Sequence, residues 1–490
     1  MSRTGTIRRT AVCALLLVAA GLRLPLLDRR PMHADEAILA DKFGTLLTTG
    51  AYPYDPREYH GPVLAYLAWI PAHLTGRATY AGLTEATLRA APAAAGILLA
   101  LAPLLLIPAV GATAAYSAAV LVAVSPALVY YSRYYIPEMP LALWTALMLA
   151  ALARSGIRWR VLAGAAAALM IATKETAVLA LASAAVAYFV GFRPRRPGWR
   201  AAIAFLATLV VAISVLLAPP WQWGVLAEGA GAYVRRGAAG GGHAHPWYAY
   251  FQWLAGWHYS FTEAPILILA AGGLVAAWRT GSPVLRFLAL YTALLAALYS
   301  AVPYKTPWCV VSPLYAMALL AGVGVAALGM RWRTGVVVLS AAALAWQAWI
   351  AGVPKAADIR NPWAYAHTGV GVFTIRDRVA ECARAAPERQ NVAIDVYTRE
   401  NLWPLPWYFR DYPNVRWWRQ VTVPGRAAPV VLVLPAMEPD LARKLYEGPP
   451  PGERELYMNL FPRYVELRPQ VEVRGYVAKS LWDRVEQARQ

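Results

Sequence analysis

Three side chains suited to acid–base chemistry, His33, Asp35 and Glu36, fall inside the stretch RRPMHADEAILADKF, directly after an apolar run. A carboxylate held near a substrate hydroxyl can take its proton. Beside a bilayer, where carboxylates are costly, such a group needs a reason to be there. Other charges stand at short connections between apolar runs: Arg133 and Glu138 in SRYYIPEMP, Lys174 and Glu175 in ATKET, and Lys305 in VPYKTPW. Cations on three different connections can converge on a phosphate-linked leaving group. Each charge taken singly reads as solvated. As a set pinned in loops a few residues long, they read as groups that line a cavity or pair.

Some of the same residues have a competing role. His33-x-Asp35 and His243-x-His245 carry ligand types that a divalent ion accepts, but such short pairs are frequent. A metal at His33, Asp35, His243 and His245 therefore stays an open alternative, and GGHAHPWYAY reads equally as a loop with an interfacial aromatic anchor. Trp221, Trp223, Trp247 and Trp253 read first as an interfacial belt and second as platforms for sugar faces. Cys13, Cys309 and Cys382 are scattered, with neither a disulfide framework nor CxxC spacing.

The elements that must position these groups are membrane helices. Of the 490 residues, 59% are hydrophobic and only 15% charged, which describes a polytopic membrane protein rather than a soluble one. The net charge of +19 comes from arginines at the ends of apolar runs, with no basic–aromatic array, so nucleic acid is excluded as a partner. Spans are expected at roughly 10–27, 88–109, 111–130, 137–153, 161–173, 176–192, 200–218, 264–278, 286–302, 308–330 and 334–352, about eleven in all. The first run, AVCALLLVAAGLRLPLL, reads as an uncleaved span, because no clear cleavage site precedes the polar segment.

With the N-terminus in the cytoplasm, the inner connections collect Arg154, Arg158 and Arg160, then Arg193, Arg195, Arg196 and Arg200, then Arg279 and Arg286, then Arg331 and Arg333. The segments 28–87, 131–136, the TKET turn, 219–263, 303–307 and the tail from 354 then face outward. The region 161–192 reads as two helices meeting at TKET, because a Lys–Glu pair at mid-bilayer is costly. The apolar stretch 60–74 reads as a helix lying in the interface. The chain divides into a transmembrane domain, 1–353, with a large first outer loop, 28–87, and a small extracytoplasmic α/β domain, 354–490. In the latter, NVAIDVY, PVVLVLP and QVEVRGYVAKSLW read as strands, and TIRDRVAECARAA and EPDLARKLYEG as helices.

An Arg-rich N-terminus and one span, then HADEA opening a large outer loop, with SRYYIPEMP and TKET at later outer turns, resembles the membrane glycosyltransferases of the GT-C fold. That class includes protein O-mannosyltransferases and aminoarabinose transferases. With HADEA, YDPREYHGP, TKET, YKTPW, NPWAYAHT and WPLPWYFRDY in order over residues 33–410, the chain is also similar to prokaryotic flippase-activity-associated proteins, whose name records an association with lipid-linked glycan flipping.

The resemblance implies a cell-membrane enzyme that moves a sugar, with inversion, from a polyprenyl-phosphate carrier to a glycan, lipid or protein hydroxyl on the outer face. It puts the catalytic carboxylate at Asp35 with Glu36 beside it, supporting carboxylates at Glu138 and Glu175, and the donor phosphate at Arg133, Lys174 and Lys305. His33 and His60 fall on the acceptor side. Trp403, Trp407, Tyr408 and Arg410 follow the strand NVAIDVY, where ligands of α/β domains gather. They read equally as an acceptor wall and as a packing corner. The alternative function is a non-catalytic handler of lipid-linked glycan, which needs the cations but no competent Asp35. A proton-coupled transporter fits less well, since its acids should lie at mid-membrane.

Overall fold

In lipid every backbone N–H and C=O must be satisfied within its own segment, so apolar runs of this length fold as helices. The computed structural model is accordingly mostly helical. It describes residues 3–55, 60–192, 199–216, 228–229, 231–232, 235, 237–238, 241–256, 261–423 and 425–490. Trp221, Trp223, parts of the 219–263 segment, residues 193–198 of the basic RPRRPGWR connection, residues 217–218 of the expected span 200–218 and residues 56–59 of YDPREYHGP lie outside the described residues.

Among the described residues, four helices can cross a bilayer by length and composition: Glu85–Val110, Pro283–Ala301, Pro307–Ala327 and Met330–Gly352. A fifth crossing exists if Ala112–Val124 and Pro126–Ser132, bent by 59° at their junction, make one span. Glu138–Leu152, Ala177–Phe192, Ala202–Ala212 and Ala264–Arg279 are apolar but shorter. The protein is thus a multi-pass membrane protein, while helix length alone does not give the expected eleven spans. Residues 157–192 form two helices, Ile157–Thr173 and Ala177–Phe192, broken at Lys174–Thr176. The helix Val63–Leu74 has 12 residues, roughly 18 Å at 1.5 Å per residue, too short for a core of about 30 Å.

The chain separates into two compact units. The larger comprises Met1–Asp28, Lys42–Ala356 and Arg360–Tyr365. At its centre Val311–Ala327 is buried from Val311 through Val325. Its neighbour Ala264–Arg279 comes so close that a Cβ on Gly273 would stand 1.8 Å from the Leu320 carbonyl oxygen, and one on Gly324 2.1 Å from that of Leu269. Small residues give helices in lipid their closest packing, because no hydrophobic drive acts there between them. Outward-facing side chains such as Leu17, Val178, Ile268 and Leu339 are exposed to the surroundings, as a lipid-facing surface requires.

The second unit comprises Arg29–Asp41, Ala357–Ile359 and Ala366–Gln490. Its strands are β1 (Ile394–Tyr397), β2 (Val415–Trp418), β3 (Val430–Val433), β4 (Tyr457–Asn459), β5 (Glu466–Arg468), β6 (Val471–Glu472) and β7 (Arg474–Ala478). A five-stranded mixed sheet has the order β2-β1-β3-β7-β4, and β5 and β6 form a separate ribbon. β1 and β3 are buried throughout and pair in parallel; β3 reads as a continuous apolar run and β1 as one interrupted only by Asp395. Tyr397, Val431 and Val433 of these strands pack with Met437 and with Leu441 and Leu445 of the helix that follows it, Glu438–Tyr446.

The expected single strand QVEVRGYVAKSLW requires correction at both ends: its start is β6, paired with β5 in the ribbon, and only Arg474–Ala478 is β7 of the main sheet. β7 stops at Ala478, and KSLW opens the helix Lys479–Arg489. Leu481 and Val485 are buried at i,i+4 and Lys479 pairs with Asp483 at the same spacing. This 3.6-residue period overrides an alternation that had covered only the preceding residues.

Asp395 in β1 holds the parallel part of the sheet together. Its carboxylate is 1% exposed and accepts from Arg416 at 2.7 and 3.0 Å, the Trp418 indole at 2.8 Å and the Ala428 N–H at 3.0 Å. Asp395→Ala is expected to cost about 3 kcal/mol, since breaking a buried pair strands its partner groups. Hydrogen exchange of the β1 and β2 amides should then accelerate roughly a hundredfold. Unchanged exchange would remove Asp395 from this role.

Candidate active site

The HADEA stretch opens the helix Ala34–Thr49, and its residues divide their work by position in the first turn. The His33 ring Nδ1 accepts the Asp35 N–H at 3.1 Å, while the Glu36 carboxylate accepts the His33 N–H at 3.0 Å. These are the reciprocal bonds of a capping box, with histidine where Ser or Thr is usual. Glu36 is fully buried and also accepts from Arg30 at 3.0 Å. It therefore belongs to the frame of the turn. Asp35 differs: its side chain is 49% exposed and lies 3.8 Å from the His33 ring. One of two adjacent carboxylates is consumed and the other is presented.

The WPLPWYFRDY residues pack in this same unit. The Met32 N–H donates to the Tyr408 hydroxyl at 2.9 Å, fixing the chain just ahead of His33. Trp407 is fully buried, and Arg410 lies 3.9 Å over its ring and donates to its carbonyl at 2.6 Å. Trp403 is half-buried, its carbonyl accepting from Arg468 at 3.2 Å.

Two buried imidazoles stand together in this region, His33 and His367, with ring centroids 5.8 Å apart. Burial pushes both below the usual histidine value, most strongly His367, where the Arg30 guanidinium adds to the effect. The unfolded chain takes up protons on these rings near pH 6.5, and the folded chain resists. Stability is therefore complete above about pH 6.5 and falls as pH drops below it, by up to about 1.4 kcal/mol per pH unit for each ring. Proteolysis of the 29–41 segment is expected to be faster at pH 5 than at pH 7.5, and His367→Asn should flatten the difference. Equal rates at both pH values in the unmodified protein would show that these rings do not carry the effect.

In the larger unit, the charges of three connections are all held, in two different ways. Glu138, in the first turn of Glu138–Leu152, pairs with Lys174, the residue that ends Ile157–Thr173. Each charge suits its helix terminus. Both are buried, and the second Glu138 oxygen, Oε2, has no hydrogen-bond partner among the described residues. Glu175 pairs with His60 at 2.8 Å. Gly61 permits that pairing by close approach, because a Cβ there would stand 2.0 Å from the Ala172 carbonyl oxygen.

Arg133 and Lys305 are turned towards backbone carbonyls instead. Arg133 donates to the carbonyls of Gly352 at 3.1 Å, Arg23 at 3.0 Å and Leu26 at 3.2 Å, serving helix ends whose carbonyls would otherwise be unsatisfied. Lys305, also buried, donates to the Val302 carbonyl and lies 5.8 Å from the Tyr250 ring centroid.

Two charged residues of the larger unit, Arg23 and Glu263, are among the buried ones that no motif in the sequence marks. Arg23 is fully buried and donates to Ser132 at 3.1 Å, Ala123 at 2.7 Å and Val122 at 3.0 Å. Glu263 is fully buried at the bend between Ala112–Val124 and Pro126–Ser132, accepting from Ser125 at 2.8 Å and the Ala127 N–H at 2.7 Å. Neither stands in a motif; only their lone occurrence beside apolar runs could have marked them.

The residues do not fit a metal. No group of three or more His, Cys, Asp or Glu has metal-holding spacing among the described residues. The His33 Nδ1 lone pair is taken by the Asp35 N–H, and His243 and His245 share the Tyr365 hydroxyl at 2.9 and 3.4 Å. What the arrangement offers is a presented carboxylate in one unit and a buried acid–base pair with a second carboxylate oxygen to spare in the other.

Comparison with known proteins agrees in fold. A family model described as dolichyl-phosphate-mannose-protein mannosyltransferase matches residues 59–223. No curated protein sequence matches the chain. Among solved structures, ArnT from Cupriavidus metallidurans is similar in its apo state at a TM-score of 0.66 and 15% identity, and bound to undecaprenyl phosphate at 0.65 and 14%, each over 97% of this chain and 98% of that one. The archaeal oligosaccharyltransferase AglB from Archaeoglobus fulgidus, in complex with an inhibitory peptide and a dolichol-phosphate, is similar at 0.52 and 14% identity over 92% of this chain and 73% of that one. The arabinofuranosyltransferase AftD from Mycobacteria is similar at 0.52 and 15% over 97% of this chain and 40% of that one. All three are GT-C glycosyltransferases, and the chain shares their fold.

Proposed function

We propose that the protein is an inverting glycosyltransferase that moves a sugar from a polyprenyl-phosphate donor to an acceptor hydroxyl on the extracytoplasmic face. The observation that carries this reading is the division of labour in HADEA: Glu36 is spent on the helix cap and Arg30, while Asp35 is half-exposed. The fold shared with lipid-linked glycosyltransferases supplies the class of reaction.

In this mechanism the Asp35 carboxylate accepts the proton of the acceptor hydroxyl. The freed oxygen attacks the anomeric carbon from the side opposite the phosphate. The bond from that carbon to the phosphate oxygen breaks, and polyprenyl phosphate departs with the electron pair. Lys174 and Lys305 offset the charge that develops on it, while Glu138 sets the position of Lys174 and Glu175 that of His60 on the acceptor side. Arg133 braces helix ends within the membrane part. This mechanism requires an outward-facing first loop and tail, hence a cytoplasmic N-terminus, an extracytoplasmic 354–490 domain and an odd number of crossings of residues 1–353, which the expected count of about eleven satisfies.

The test is turnover of radiolabelled polyprenyl-phosphate sugars by the purified protein with a panel of hydroxyl acceptors. Transfer or donor hydrolysis that needs Asp35 supports the enzyme. Donor binding with no turnover under any acceptor condition would leave a carrier-handling protein in its place.

A further inference from the structure

The second unit holds a surface feature that the mechanism does not use. An open groove of about 380 Å³ lies alongside β7, between helix Glu438–Tyr446 and the turn that follows β4. That volume is within the range of small-molecule sites. Its charged lining consists of Glu438 and Glu472 on one side of the balance and Arg463 and Arg474 on the other, so the groove is formally neutral.

The charges are organised. Arg474 donates to Glu472 at 2.9 Å and also bonds Glu438, which in turn accepts from Tyr476. Arg463 stands exposed on the rim. The floor is set by sterics: a Cβ on Gly475 would come 2.7 Å from the Phe461 ring, so glycine leaves that ring its place beside β7.

One wall is an aromatic side chain held for contact. Tyr464 is 62% exposed, yet its hydroxyl donates to Glu466 at 2.6 Å, which restrains the ring. A large ring immobilised in water buries apolar area with little further loss of rotamer entropy when a ligand covers it.

We propose that this groove binds a neutral saccharide, the sugar chain of the acceptor, by stacking on Tyr464 and hydrogen bonding to the Glu438–Arg474–Glu472 array. A phosphate would find both carboxylates repulsive and a cationic ligand both guanidiniums. A polyhydroxylated ring meets both kinds of group well, since each hydroxyl donates and accepts. The assignment of the bound sugar as acceptor rests on the transferase reading; the binding itself does not.

The experiment uses the full-length protein in lipid nanodiscs, which avoid sugar-headed detergent, with mannotriose, galactotriose and arabinotriose as probes and saturation-transfer NMR as the readout. At least one trisaccharide should bind, Tyr464→Ala should weaken it at least tenfold, and Tyr464→Trp, which keeps a stacking face, should retain it. Because Tyr464 is mostly exposed, its removal leaves the fold intact, which amide exchange of β7 checks. No binding of any trisaccharide, or equal binding by Tyr464→Ala, overturns the proposal, as does capture of an extended peptide in place of sugar. The two readings fail separately. Tyr464→Ala that loses trisaccharide binding but transfers sugar with an unchanged acceptor KM removes the acceptor assignment and leaves the enzyme, whereas trisaccharide binding without any turnover sinks the enzyme and leaves the groove.

Discussion

Asp35→Asn is expected to fold, to bind the lipid-linked donor, and to turn it over some 10² to 10⁴ times more slowly, the range that a positioned general base contributes. The substitution is nearly isosteric and the side chain is 49% exposed, so little packing changes. What changes is the capacity to take a proton. Single-turnover transfer from a radiolabelled donor, measured beside donor binding, separates the two. The neighbouring substitution should behave in the opposite way. Glu36→Gln removes the charge that faces buried Arg30, which should cost about 3–5 kcal/mol and appear as lost folded protein rather than slowed chemistry. Full turnover by Asp35→Asn would place the base elsewhere and end the case for this carboxylate.

Lys174→Met is expected to lower stability by about 3–5 kcal/mol, because it leaves the Glu138 carboxylate buried at 4% exposure without its cation. It should also slow donor turnover at least tenfold if the ammonium stabilises departing phosphate. A double variant tells the roles apart. Lys174→Met with Glu138→Gln removes both charges, and a buried pair replaced on both sides is often near neutral in stability. Thermal melting should therefore recover in the double variant while turnover does not. Recovery of both would make the pair purely structural.

Much of this was legible in the sequence because the signals are local. The break between Ile157–Thr173 and Ala177–Phe192 follows from the cost of Lys174 and Glu175 inside lipid, and the buried strands β1 and β3 from short apolar runs between turn residues, broken in β1 only by Asp395. The two acids of HADEA were visible, but their unequal roles were not, since they depend on which carboxylate the helix cap turns inward. The carbonyl bonds of Arg133 were equally hidden: Gly352 is 219 positions away, and no pattern in a window of fifteen residues reports it. β2 was missed because its alternation spans only four residues, Val415–Trp418. The helix Lys479–Arg489 was misread for a related reason, the strand pattern of β7 running straight into its first turn.

The buried Arg23 also bears on how the chain is made. Its acceptors on Val122 and Ala123 come 99 and 100 positions later, so the ribosome has yet to add them when the first apolar helix meets lipid. At about 5–20 residues per second that gap lasts on the order of 5–20 s. During it the guanidinium has no protein carbonyl of the later helix to turn to and must reach for lipid headgroups. The first helix is thereby inserted early and docked late, and its final seat in the bundle is fixed only when the bent segment arrives to claim the arginine.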